Sequence, residues 1–202
     1  MLPISHASLS PPICEYAHDR RLPFNASSFH HPSSEFGDVC MQAGGKIGAE
    51  RCLYLNVFQP TSATNSGKVP IMFWIHGGAM KSGAGSMYNG TTLAAVHNVI
   101  VVTINYRLGV AGFWGSEELE KGNGLMGGIH DQIVALRWVQ QHAALFGGDP
   151  KQITIFGESE SHPLRLALRL ICVVPRVLVY LPVDHFVGWL TAHTLLSTCL
   201  GS

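Results

Sequence analysis

The sequence predicts an α/β protein built on a mostly parallel sheet. Three observations carry that reading. Four short runs are apolar on nearly every residue rather than on alternate ones, as in strands covered on both faces. One amphipathic helix pattern lies between the last two runs. Glycine breaks close two of the runs, at His76-Gly77-Gly78 and at Gly157.

Residues 1 to about 50 carry scattered Pro, Ser, His and Asn without a sustained period, and read as loop. Cys52-Leu53-Tyr54-Leu55-Asn56-Val57-Phe58 is the first strand, closed by Pro60 and the polar stretch 61–67. Val69 to Ile75 is the second. Val99 to Ile104, rich in β-branched residues, is the third. Ile129, Ile133, Leu136, Val139, Ala143 and Phe146 recur at steps of three or four and predict one helical stripe, with Gln132, Arg137, Gln140 and Gln141 falling mostly off it. Gly147-Gly148 stops the helix and Pro150 follows. Ile153 to Phe156 is the fourth strand. Strand, long helix and strand in that order predict a right-handed crossover in a parallel sheet.

A chain of 202 residues has room for one domain to one and a half. Charged residues make up 13 % and apolar residues 47 %, which excludes a solvated, disordered polymer. Thirteen basic and thirteen acidic residues cancel, removing the electrostatic case for nucleic acid or an anionic membrane surface. The composition shifts near residue 161: twelve of the 13 acidic residues lie at or before Glu160, and the last lysine is Lys151. Residues 1–161 and 162–202 are therefore read separately. In the second part Leu164, Ala167, Leu168 and Ile171 extend a helical stripe that Pro175 ends. Leu170 to Leu190 is apolar, but Pro175, Arg176, Pro182, Asp184 and His185 interrupt it, so no transmembrane segment is expected.

Cysteines stand at 14, 40, 52, 172 and 199, an odd number with no CxxC pair and no Cys/His spacing suited to zinc. No metal or cofactor is expected. His30-His31 reads as a solvated loop pair, and Trp74, Trp114 and Trp138 as core or pocket-wall residues. The opening MLPISHASLSPPICEY has no basic segment followed by an apolar run, so no secretory signal is read there. Asn25-Ala26-Ser27 and Asn89-Gly90-Thr91 fit the N-glycosylation sequon.

Two turns could carry chemistry. His76-Gly77-Gly78-Ala79 ends an apolar strand, and small residues there let successive backbone N–H groups face one point, where they can stabilise an oxyanion; an ordinary glycine turn has the same residues. Gly157-Glu158-Ser159-Glu160-Ser161 follows the fourth strand and approximates the Gly-x-Ser-x-Gly nucleophile elbow, with Ser161 in the last position; a helix-capping serine looks similar. An acid and a histidine would follow the serine in that architecture. Ser159, Asp184 and His193 can be written as a triad, but the 34 residues from Glu160 to His193 are too few to add the strands that would carry the acid and base to the sheet edge.

With these turns in place, the sequence resembles a known family. Glu50-Arg51-Cys52-Leu53-Tyr54-Leu55-Asn56-Val57 resembles the EDCLYLNV signature of type-B carboxylesterases and cholinesterases. WIHGGAMKSGAGSMYNG (74–90) resembles their oxyanion segment, and VIVVTINYRLGVAGF (99–113) and DQIVALRWVQQHAALFGGDPKQITIFGES (131–159) follow in family order. The resemblance covers residues 38 to 159. It implies part of an α/β-hydrolase fold, with helices flanking a truncated sheet, and hydrolysis of small-molecule carboxylic esters through an acyl-serine. Ser159 aligns with the nucleophile, and the N–H groups of Gly78, Ala79 and Glu160 align with the oxyanion hole. Cys52 aligns with one end of a family disulfide, and Cys40 is its expected partner. Such a bridge implies a secreted or ER-lumenal chain.

Four departures from the pattern matter. Arg51 stands in place of Asp, Ala79 in place of a third glycine, Glu160 in place of a small residue, and Ser161 in place of glycine. A carboxylate a few ångströms from a developing oxyanion costs on the order of 1–4 kcal/mol, or roughly tenfold to a thousandfold in rate. The expectation is a chain with little or no turnover, because the acid and histidine are missing. The alternative is a non-catalytic, cholinesterase-like binding or adhesion module. Residues 162–202, depleted in acid and glycine, read as a frameshift or intron read-through. Translating the downstream locus in all three frames checks this: one frame is expected to restore the acid and the histidine, and a genuine tail would leave none that does.

Overall fold

The computed structural model describes residues 5–8, 36–45, 47–63, 68–114, 127–158, 177–183 and 186–190. The described elements, in chain order, begin with β1 (Ser5–Ser8), β2 (Tyr54–Phe58), β3 (Val69–Ile75) and a one-turn 3-10 helix (Gly85–Met87). Then come α1 (Thr91–His97), β4 (Ile100–Ile104), α2 (Gly109–Phe113) and α3 (Gly127–His142). A second 3-10 turn (Ala143–Phe146), β5 (Gly148–Gly157), β6 (Val177–Val183) and β7 (Phe186–Leu190) complete the order. The strands form one sheet in the order β1-β2-β4-β3-β5-β6-β7. β4, β3, β5 and β6 are parallel to one another, while β1, β2 and β7 pair antiparallel with their neighbours.

The sheet explains why its central runs are apolar throughout. All five residues of β4 are buried. Ile100, Val102 and Ile104 join Leu55, Val57, Ile71, Phe73, Ile153 and Ile155 in a large core beneath Leu136 and Val139 of α3. Val101 points the other way and packs with Phe58 and with Ala94 of α1. A strand covered on both faces cannot alternate apolar with polar. The two polar residues on the smaller face satisfy each other: the Asn56 amide donates to Thr103 Oγ1 at 2.9 Å, across the register pair Asn56–Thr103.

The four predicted strands are present, β5 being longer than its predicted core because it gains a second register against β3, pairing Val69 with Gly148. The helix also forms, but its buried face is turned. Asp131, Gln132, Ala135 and Trp138 are buried, while Ile129 and Ile133 are only half-buried. The rotation brings Asp131 to Arg107, just past the end of β4. Arg107 Nη2 donates to Asp131 Oδ1 at 2.6 Å and Nε to Oδ2 at 2.7 Å, while the Arg107 backbone amide donates to Oδ2 at 3.0 Å. That bidentate pair outweighs a tidy apolar stripe.

Two expectations fail at the ends of the chain. Residues 1 to about 50 are not all loop, since Ser5–Ser8 pairs with β2 as β1. Residues after Ser159 do add strands, since β6 extends the sheet beside β5 and β7 returns against it. The expected Cys40–Cys52 disulfide is formed, both cysteines being buried. It closes a short loop that ends just before β2 and restricts the unfolded chain by about 3 kcal/mol in the chain-entropy account. Among the described residues, no helix is long and apolar enough to cross a membrane.

Arg107 and Asp131 side chains are 18 % and 5 % exposed. Arg107→Met is expected to destabilise the protein by about 3–5 kcal/mol, because it strands a buried carboxylate. Denaturant unfolding checks this, and the paired replacement Arg107→Met with Asp131→Leu is expected to recover much of the loss.

Candidate active site

β3 and β5 end side by side. Ile75 pairs with Gly157 in parallel register, and the Glu158 amide donates to the Ile75 carbonyl at 3.4 Å. The two glycine breaks of the sequence therefore leave the sheet at one carboxyl edge, in contact with each other. Ligand sites of open parallel sheets form at such edges.

The turn after β3 is left-handed for three residues: Gly78 has φ +114°, Ala79 +52° and Met80 +58°. The chain doubles back, and the amides of Lys81 and Ser82 both donate to the Gly78 carbonyl, at 2.9 and 3.1 Å. A Cβ on Gly78 would collide with the Ser82 carbonyl, so glycine is required there. Ala79 holds a backbone conformation that costs an L-residue about 1–2 kcal/mol. The Gly78 and Ala79 amides donate to no acceptor among the described residues. Successive unpaired N–H groups on such a turn make a concavity suited to negative charge.

The carbonyls of the turn, by contrast, are tied down. The Ala43 amide donates to the Lys81 carbonyl and the Gly109 amide to the Met80 carbonyl, each at 2.7 Å. Gln42 clamps the far end: its Oε1 accepts the Gly83 amide at 2.8 Å, and its Nε2 donates to the carbonyls of Cys40 at 2.6 Å and Gly83 at 3.2 Å. Asn105 does the same for the next segment. Its Oδ1 accepts the Gly85 amide at 2.8 Å, and its Nδ2 donates to the Asp38 and Cys52 carbonyls, both at 3.0 Å.

His76 begins the turn and is 2 % exposed. Its ring stacks on Tyr106 with centroids 4.3 Å apart, and the Tyr106 hydroxyl donates to the His76 carbonyl at 2.7 Å. Nδ1 lies 2.8 Å from the Gly77 carbonyl, an acceptor, so Nδ1 carries the proton. Nε2 is buried without a partner among the described residues. Burial pushes the imidazole pKa below its usual value, against smaller opposing effects of the Gly77 bond and the Glu158 charge. The ring is thus a neutral wedge behind the turn. Gly83 passes so close that a Cβ there would collide with His76 Nδ1.

An aromatic wall flanks the same edge. Trp74 lies 4.9 Å from Tyr88 and 4.8 Å from Phe156, centroid to centroid. The Tyr88 hydroxyl donates to Glu158 Oε2 at 2.8 Å. Burial, aided by that bond and by the Glu158 charge, raises the Tyr88 pKa to about 12. The carboxylate that precedes Ser159 is thereby held against the wall.

Of the residues singled out from sequence, Gly78 and Ala79 lie on this edge. Ser159, Glu160, Asp184, His193, His30 and His31 lie outside the described residues. Arg51 is exposed. Trp138 is buried and Trp74 half-buried, as expected, but Trp114, at the C-terminal end of α2, is 61 % exposed. Gln42, Asn105, Tyr106 and Tyr88 were not singled out. Asn105-Tyr106 carried a signal, a polar pair closing an apolar run at a strand's carboxyl end. Gln42 carried none, sitting in a segment without pattern.

Residues 16–160 match the model of the carboxylesterase family. Liver carboxylesterase 1 of Oryctolagus cuniculus is 52 % identical over 112 residues, which are 55 % of this chain and 19 % of the rabbit protein. The medium-chain fatty acyl-CoA hydrolase precursor of Anas platyrhynchos is 50 % identical over 112 residues, 55 % of this chain and 20 % of its own length. The structure of a thermophilic pNB esterase superposes with a TM-score of 0.57 at 44 % identity, covering 62 % of this chain and 28 % of that one. The chain spans about a fifth of the length of the curated relatives it matches.

The lowered His76 pKa makes stability depend on pH in a definite direction. The unfolded state binds a proton near pH 6.5 and the folded state only at lower pH, so stability falls as pH drops below about 6.5. His130, also lowered chiefly by burial, acts in the same sense. Unfolding free energies from pH 8 to pH 5 are expected to decline on the acid side, with a shallower slope in His76→Asn.

Proposed function

The chain belongs to the carboxylesterase family, and on that premise we propose that it carries the nucleophile and oxyanion half of a serine carboxylic-ester hydrolase. Its sheet is part of an α/β-hydrolase fold, shared with esterase structures at 44 % identity. The observation that carries the proposal is the pair of amides at Gly78 and Ala79, unpaired among the described residues, on a strained turn adjoining the end of β5.

Ser159 Oγ attacks the ester carbonyl. The Gly78, Ala79 and Glu160 N–H groups receive the oxygen as it gains charge. The alcohol leaves and water later releases the acid. The Gly78 and Ala79 donors need little reorganisation in the transition state, because bonds from Gly109, Ala43 and Gln42 already fix their turn. Tyr88 holds the Glu158 carboxylate to one side, which keeps one negative charge from approaching the oxyanion. Glu160, next to the serine in the sequence, adds another negative charge. An acid and a histidine activate such a serine and follow it in the chain. The family match ends at residue 160, so no partner for Ser159 is carried over from it. Residues 1–161 are the esterase part in this reading, residues 162–202 a divergent tail, and the 202 residues alone turn over slowly.

The second reading, a non-catalytic binding module, rests on Glu160 beside the serine. Covalent labelling by a fluorophosphonate separates the two. The expected result is a slow adduct on Ser159, absent from Ser159→Ala and accelerated roughly tenfold to a thousandfold in Glu160→Ala as the charge is removed. Equal labelling of the wild type and Ser159→Ala would sink the hydrolase reading. Rapid p-nitrophenyl ester turnover by the wild type would overturn the weak-activity part of it.

A further inference from the structure

The ester-hydrolase reading leaves unused a sequence motif that lies among the described residues, Asn89-Gly90-Thr91, which follows the first 3-10 turn and ends on the first residue of α1. We propose that Asn89 is an acceptor for an N-linked glycan, its side-chain nitrogen presented to solvent on a chain that folds in an oxidising compartment.

Three observations converge on Asn89. The first is exposure. Asn89 is exposed, whereas Tyr88 before it is half-buried against Trp74 and Gly90 after it is buried against Val101 and Phe58. A glycan is bulky and must remain at the surface once the chain has folded, and in this stretch Asn89 meets that condition while its neighbours do not. The second is the carboxamide's orientation. Asn89 Oδ1 accepts the Thr91 amide at 2.9 Å. Because a backbone N–H needs an acceptor, this bond identifies the oxygen and leaves Nδ2 as the other arm. Nδ2 has no hydrogen-bond partner among the described residues. The atom that would carry the sugar is the one left free.

The third observation is independent of the loop. The Cys40–Cys52 bridge belongs to a protein that folds where disulfides persist, such as the ER lumen or the cell exterior. N-glycans are added to chains entering the same compartment. Gly90 avoids the sequon's one exclusion, proline in the middle position. Met87, two residues earlier, is 70 % exposed, and a polar oligosaccharide beside it would cover an apolar side chain otherwise open to water.

The transfer balances without any redox step. The donor is an oligosaccharide linked through its anomeric carbon to a polyprenyl diphosphate. A bond forms between Asn89 Nδ2 and that carbon, the carbon–oxygen bond to the diphosphate breaks, and one Nδ2 proton leaves with the released polyprenyl diphosphate.

The test is cell-free synthesis of the full chain behind a cleavable secretory leader, in the presence of ER vesicles. Vesicle-protected chain is treated with a glycan-releasing amidase, which converts an occupied Asn to aspartate, and is mapped by mass spectrometry. The expected result is conversion at Asn89. Loss of one glycan is expected in both Asn89→Gln and Thr91→Ala, and retention in Thr91→Ser. Asn25→Gln, which removes the other sequon, is expected to leave the Asn89 glycan in place. Vesicle-protected wild-type chain that is unmodified at Asn89, or glycosylated only at Asn25, overturns the proposal.

Discussion

A left-handed turn at the end of a parallel strand has no ladder to satisfy its backbone, and the candidate site depends on how this protein meets that need. The carbonyls of residues 80, 81 and 83 are each bonded, by Gly109, Ala43 and Gln42. The amides of Gly78 and Ala79 are not, among the described residues. The asymmetry is what makes the turn useful. With the carbonyls of residues 78, 80, 81 and 83 occupied and two donors free among the described residues, the turn presents a face of positive potential.

The bonds to residues 80, 81 and 83 come from outside the turn, two from backbone amides and one from the Gln42 side chain, and further side chains brace the segments around it. Gln42 reaches in from the disulfide loop. Asn105 links the same loop to the Gly85 backbone. Tyr106 stacks on His76 and holds its carbonyl. Arg107, the next residue, turns the other way and anchors α3 through Asp131. Three consecutive residues after β4 thus connect the disulfide loop, the turn and the long helix. A buried polar network of this kind is costly when partly satisfied and specifies one arrangement when complete.

How much of this could be read from sequence follows from the range of the forces. β4 was legible because it lies between two covered faces, and β3 and the core of β5 because their less buried face still carries apolar residues such as Met72, Trp74 and Phe156. The helix was legible by period, but not its rotation, because Asp131 is buried by a partner 24 residues away and no local pattern records that. The short β1 was missed for a related reason: Ser5–Ser8 is polar, and it is a strand only because β2 offers an edge. At the site, Gly78 was legible, since only glycine tolerates its conformation beside Ser82. Ala79 was legible as part of the small-residue turn, and its assignment as a donor came from the family resemblance. The clamp residue Gln42 was not legible at all, because its role is set by Gly83, 41 residues on.

That clamp also bears on the order in which the molecule comes together. Gln42 meets Gly83 across 41 residues, Asn105 meets Asp38 across 67, and Tyr88 meets Glu158 across 70. Contacts that bridge such spans form only after the intervening chain has been brought to heel by its own collapse, and they slow folding relative to local structure. During synthesis the glycine bend leaves the ribosome with Gln42 already made, before Asn105 and long before Glu158. The bend is therefore among the last parts to take its final shape: a late-maturing feature that rests on a scaffold assembled before it.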